Sequence, residues 1–252
     1  NCTEFFNSMD ELLTFLKDHE GELVYQQAGT IFIQKDQYQG DETSIDFNTY
    51  GFNTLNNYAL TLQGGWNTAD NTLNPADTTL FTVPIIIGSI ANPWAGALTI
   101  NNISVSGASG DAGLTLITSR EVSLVNVTAE NNSGSGAHIE ASDVAIDTGS
   151  FSNNGAGGLD VTSQSAIALF GVTANTNQQF GANLFAGDQV SIAQSNFNDN
   201  GGYGLSVVTT SLIALEDVNA NNNALYGAYL EGDDTVVNTS FFTANGSLGA
   251  VS

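Results

Sequence analysis

Over residues 114–252 apolar and polar positions alternate in short bursts that never lengthen into a helical pattern. "AHIE", "LDVT", "ANLF", "LSVV" and "AYLE" each alternate with period two, the mark of a strand buried on one face. The bursts recur in register with an asparagine: Asn132, Asn154, Asn177, Asn200, Asn223 and Asn245, at steps of 22, 23, 23, 23 and 22 residues. Four residues after each stands a glycine, at 136, 158, 181, 204, 227 and 249, and a burst follows at once. A second burst ("VSL", "VAI", "IAL", "VSI") comes eight or nine residues beyond the glycine, and a third short one closes the unit. Such units predict a chain wound into stacked coils, a parallel β-solenoid.

Stacking places equivalent residues about 4.8 Å apart along the axis. An asparagine at one corner then bonds its amide to those above and below. The glycine after it is expected to supply a positive φ at the corner. "FSNNGAGGLDV", "FNDNGGYGLSV" and "FFTANGSLGAV" recur with their corner asparagines 46 and 45 residues apart, a distance of two coils, because inward positions alternate in size. The third burst reads Val127 with Ala129, Gly149 with Phe151, Val172 with Ala174, Ser195 with Phe197 and Val218 with Ala220. A phenyl ring is too thick for one layer, so its neighbours are kept small. Phe180, Tyr203, Tyr226 and Leu248, just before the glycine column, read as a corner of the core, with a sugar-binding platform as the alternative.

Residues 1–21 differ. "SMDELLTFLKDHEG" carries a capping box of Ser8 and Glu11, an apolar face of Met9, Leu12, Leu13 and Leu16, and a stop at Gly21. This predicts a helix capping the open end of the solenoid and protecting unpaired strand edges. Residues 22–113 read as less regular early coils, with a loop thrown out at 67–80, and residues 114–252 as the regular coils. At the far end "GAVS" opens a strand and stops in mid-coil, pointing to further coils of a longer parent or to an assembly surface.

Composition narrows the partners. Twenty-six acidic residues stand against Lys17, Lys35 and Arg120, a net charge of −23. Such a surface repels phosphate backbones and anionic lipid, which argues against nucleic acid. No apolar run is long enough to insert in a membrane. The chain begins with Asn1, as a processed piece would, and its one cysteine, Cys2, has no partner within the chain. Few lysines and much Asn, Gly, Thr and Ser suggest an extracellular or cell-surface protein.

At "GTIFI", "TLQGGW" and the Asn-x-x-x-Gly coils the sequence resembles the right-handed parallel β-helix proteins of the pectate-lyase-like superfamily, of the kind found in large bacterial surface proteins. The resemblance implies an all-β, right-handed parallel β-helix of 22–23-residue coils with an N-terminal capping helix. It specifies fold more than function, since lyases, hydrolases, adhesins and fibres share that fold. For enzymatic members the resemblance implies acidic calcium ligands with an Arg or Lys base, or clustered Asp residues with a His and a basic residue near them. The outward column of the corresponding face reads Thr115, His138, Asp160, Asn183, Ser206 and Tyr229, with Glu140 beside it. His138, Glu140 and Asp160 are the one catalytic candidate, and no cation accompanies them. Asp70 and Asp77 are the candidates for calcium, but they lack EF-hand or RTX spacing, and no cofactor is expected.

A second outward column reads Ser123, Ala145, Ala168, Ser191, Ala214 and Val237, a strip of small side chains that permits close approach of another surface. Regular threonine arrays are absent from all three faces. These features favour a non-catalytic structural or adhesive solenoid, a filament subunit or a module of a longer chain, that associates with itself. The alternative is a carbohydrate-binding or carbohydrate-active β-helix.

Overall fold

The alternating bursts become rungs in a computed structural model that describes residues 4–74, 76–247 and 250–251. Cys2, Leu248 and Gly249 lie outside them. The first bursts stack as a nine-stranded parallel sheet, from Ile45–Asp46 and Ile85–Ile87 through Ala112–Ile117, Ser135–Ala141, Leu159–Ser163, Ala182–Ala186 and Leu205–Thr209 to Ala228–Glu231 and Ala250–Val251. A second sheet runs alongside, from Gly29–Gln34, Leu60–Asn67 and Leu98–Asn101 to Asp234–Asn238. Its members in the regular coils are long, as in Val122–Glu130, Ile167–Thr173 and Leu212–Asn219. The second and third predicted strands are thus one strand here. A single left-handed residue bends it in each coil: Asn126, Thr148, Gly171, Gln194 and Asp217.

The core fills the space between the sheets, and size alternation governs its packing. One column pairs Ile85, Leu114, Ala137, Leu159, Ala182, Leu205 and Ala228. In another, Ala129, Phe151, Ala174, Phe197 and Ala220 are all fully buried. The Phe151 ring also occupies the place a side chain would take at Gly149, where an added Cβ would lie 2.8 Å from ring carbon Cε2.

At the asparagine corner the glycines have a different task from the expected one. Positive φ belongs to the residue before each asparagine, namely Asn131, Asn153, Thr176, Asp199, Asn222 and Ala244, and none of Gly136, Gly158, Gly181 or Gly204 has it. The glycines are there for space. A Cβ at Gly158 would meet Gly181 O at 2.5 Å, Asn177 Nδ2 at 2.6 Å and Phe151 O at 2.6 Å.

The helix spans Met9–His19, and the Ser8 side chain accepts from Glu11 N. Glu11 Oε2 reaches back one residue further than a capping box requires, to Asn7 N at 2.9 Å. Met9 and Leu13 are buried in the core, with Leu12 and Leu16 packed at its margin. Glu20, just past the helix, is buried and takes Asn53 N, Thr54 N, Leu55 N and the Lys17 ammonium. The cap is thereby tied to the first coils by charge as well as by apolar contact.

The stretch 67–80 is not all loop. Trp66 and Asn67 pair antiparallel with Leu73 and Thr72 in a small hairpin, and Thr79 and Leu80 belong to the strand Thr79–Phe81. Buried Thr79 is held there by its hydroxyl, which donates to Gln34 O at 2.7 Å and accepts from Gly65 N. No helix among the described residues is long and apolar enough to cross a membrane.

Candidate functional site

Period two puts every second residue of the first sheet outward, and parallel register aligns those residues in columns. Thr115, His138, Asp160, Asn183, Ser206 and Tyr229 are successive partners in one column. Ile117, Glu140, Thr162, Phe185, Val208 and Glu231 form the next. The column pairing brings His138 against Asp160 of the following coil, with Nδ1 3.1 Å from Oδ2. Glu140, two residues along the same strand, places Oε1 3.2 Å from Nε2. Asn183, one coil further, donates from Nδ2 to Asp160 Oδ1 at 3.0 Å. Glu140, His138, Asp160 and Asn183 therefore form one chain of contacts across three coils.

The charges in this chain hold one another. The bond to Asp160 is the largest influence on His138; burial opposes it, the Glu140 contact adds to it, and the imidazole pKa ends above its ordinary value. Burial alone would raise the Asp160 carboxyl, but His138 and Asn183 outweigh it and hold it below. The carboxylates approach opposite edges of the ring, so the three groups do not converge on a point where an ion would sit. Among the described residues no group of three His, Cys, Asp or Glu side chains is arranged to hold a metal.

The aromatic rings expected in a core corner lie at the surface beside this cluster. Phe180 and Tyr203 stack with centroids 5.6 Å apart and planes 10° from parallel, both half-buried, while Tyr226 is exposed. The Phe180 ring covers Gly157, where an added Cβ would lie 2.2 Å from its Cζ. The Tyr203 phenol is pushed up by burial and by the charge of Asp160.

Asp70 and Asp77 are engaged separately. Asp70 Oδ1 accepts from Thr72 N and Oγ1, closing its own turn, and Asp77 pairs with Lys35 at 3.4 Å.

The six asparagines stand at one corner in a continuous row. From Asn154 to Asn245 each Oδ1 takes both the backbone N–H and the Nδ2 of the asparagine one coil before, at 2.9–3.2 Å, while Asn132 Oδ1 accepts from Ala108 N. Each Nδ2 also donates to a carbonyl, as Asn177 does to Phe151 O at 3.0 Å. A second, outer row was not anticipated. Asn175 Oδ1 accepts from Asn198 N, Asn198 Oδ1 from Asn221 N, and Asn221 Oδ1 from Thr243 N. Its signal was present, an asparagine two residues before the corner asparagine in three consecutive coils.

On the second sheet, Ser123, Ala145, Ala168, Ser191 and Ala214 stand in register, but the column continues with Val236 and not Val237. Val237 pairs with Leu215 in the inward column, and is 43% exposed because no described coil lies over it. The 22-residue step in the last coil moved the alternation by one. Upstream the same column contains Thr30, Thr61 and Thr99, a short threonine row where none had been read. A shallow groove runs over the strip, bordered by Asp147, Phe170 and Ala193.

Parallel coils of about 23 residues, two stacked sheets and a corner row of asparagines define a β-solenoid. The chain matches the model of the right-handed beta helix region over residues 89–248, more than half its length, and belongs to that family. No curated protein and no solved structure matches it.

Proposed function

We propose that this chain is a non-catalytic structural or adhesive rod of the cell exterior, and that copies meet side by side along the strip of small residues. The observation that carries the reading is the neutrality of the strip. In a chain of net charge −23, the column from Thr30 through Ala168 to Val236 contains no charged residue. Nine rungs at about 4.8 Å make it about 40 Å long. At ~10 Å wide it offers roughly 400 Å² per partner, half of what a stable interface buries. Phe170 and Val125, both exposed in the adjoining column, add apolar area, so a micromolar contact is expected. Asp147 and Glu216 in the same adjoining column repel their copies, so association should strengthen with salt. Continuation into further coils of a longer chain is compatible with this reading. The non-catalytic part is supported by His138, whose ring nitrogens both face carboxylates, so that while the ring carries two protons neither has a lone pair for a substrate proton.

Sedimentation velocity at about 100 µM, where a micromolar contact is saturated, tests the proposal. Wild type should sediment as dimers or larger, and Ala168→Arg as monomer with unchanged circular dichroism. A wild type that stays monomeric in high salt would sink it. A second reading, glycan binding, is favoured by the parallel Phe180 and Tyr203 rings beside Asp160 and Asn183, since sugars lay their apolar faces on such rings. Replacing His138 and Asp160 together by Ala should abolish glycan binding or turnover on that reading and change nothing on the first.

A further inference from the structure

Outside its part in the site, the His138 cluster contains a feature of its own. An ionised carboxylate offers only acceptors, and a neutral imidazole has one N–H and one lone pair. The contacts of Nδ1 with Asp160 at 3.1 Å and of Nε2 with Glu140 at 3.2 Å are therefore both hydrogen bonds only while the ring carries two protons. A neutral ring would turn a lone pair on one carboxylate, and that contact must open. We propose that His138 is a proton-operated clasp: as imidazolium it joins Asp160 of one coil to Glu140 of the coil before, and on losing a proton it releases Glu140.

Glu140 is the arm that lets go because nothing else holds it. Asp160 stays fixed by Asn183 Nδ2 at 3.0 Å, whereas the Glu140 carboxylate has no second partner among the described residues. Glu140 also has one more rotatable bond. The retained proton sits on Nδ1. The groups facing the clasp are few. Neutral Thr115 stands on the strand before, Asp160 and neutral Thr162 on the strand after, and Tyr203 lies within the field of Asp160. Among the described residues no Lys or Arg pairs with either carboxylate, so the imidazolium is the positive charge that holds them together.

The sign follows from the direction of the His138 shift. A group whose folded pKa is raised stabilises the fold fully below its unfolded value, 6.5, and loses that contribution as pH rises through the higher folded value. Acid closes the clasp. Mild alkali opens it and puts one more negative charge on this face.

Long-range proton–nitrogen correlation spectra of the ¹⁵N-labelled chain carrying His19→Gln leave one ring to observe. The expected result is a midpoint above that of free histidine, a doubly protonated ring below that midpoint, and an Nδ1–H tautomer above it. Glu140→Gln puts an amide, which can donate, opposite the Nε2 lone pair. A neutral ring then keeps both contacts, so its proton affinity should fall about threefold or more, half a unit in midpoint. The loss of thermal stability across the wild-type titration should shrink in the same variant, with the part due to Asp160 remaining. Asp160→Asn, on the other arm, should also lower the midpoint. A midpoint at or below that of free histidine, or one unmoved by Glu140→Gln, overturns the clasp. An Nε2–H tautomer after titration overturns the release of Glu140.

Discussion

Removing one amide from the middle of the asparagine row tests whether the row stabilises the solenoid. In Asn177→Ala, two buried backbone groups lose the partner that satisfied them: Asn154 N–H, which donates to Asn177 Oδ1 at 2.9 Å, and Phe151 C=O, which accepts from Asn177 Nδ2 at 3.0 Å. Asn154 Nδ2 keeps Ala129 O, and Asn200 Oδ1 keeps the backbone N–H of residue 177, so those two atoms remain satisfied. An orphaned buried polar group costs about 1–3 kcal/mol. Two of them set an expected loss of about 4 kcal/mol, large against the stability of an ordinary domain. Asn245 makes the same bonds, to Asn223 N and from its Nδ2 to Ala220 O, but it is only half-buried and water can replace what is lost. Asn245→Ala should therefore cost about 1 kcal/mol. Urea unfolding followed by circular dichroism measures both, with amide exchange at Asn154 as a local probe, since coils of a solenoid can unfold separately. If Asn177→Ala stays within about 1 kcal/mol of wild type, or Asn245→Ala costs as much, the burial argument is wrong.

Three further outcomes are expected. Gly158→Ala would drive a Cβ to 2.5 Å from Gly181 O, backbone that cannot move aside without breaking the rung; it should lose at least about 3 kcal/mol or fail to fold, read by the same urea curve. Ala174→Leu, placed between the Phe151 and Phe197 layers, should cost about 1–3 kcal/mol through overpacking. Combined with Phe197→Ala, which empties the adjacent layer, the total should fall short of the sum of the singles in a double-mutant cycle. Glu20 is buried, which alone would raise its carboxyl, but Lys17 and three backbone N–H groups hold it at about 2. Its contribution is present above its unfolded value of 4.5 and lost as pH falls toward 2, so melts of wild type and Glu20→Gln should diverge near neutrality and converge in that acid window.

The sequence by itself determined the coil. Period two, the 22–23-residue step and the alternation of Phe with Ala leave one arrangement in which every large side chain meets a small one, and a one-residue slip would turn the core outward. It also brought His138 and Asp160 together, because parallel register makes residues one coil apart neighbours. Tertiary structure decided what depended on three-dimensional crowding. The glycine column is kept free by the carbonyl and amide of the next coil, and the positive φ sits elsewhere, on Asn153 and its equivalents. Phe180 and Tyr203 stand outside the core, stacked on each other with Phe180 over Gly157, a placement set by the neighbouring coils. Val236 replaces Val237 in the neutral column because the last step is 22 residues and not the 23 of the three steps before it. Period two put Glu140 on the face of His138, but its 3.2 Å approach to Nε2 was a matter of side-chain direction. Spacing along a chain fixes which residues share a column, but whether a side chain can fit there depends on atoms contributed by the coils above and below.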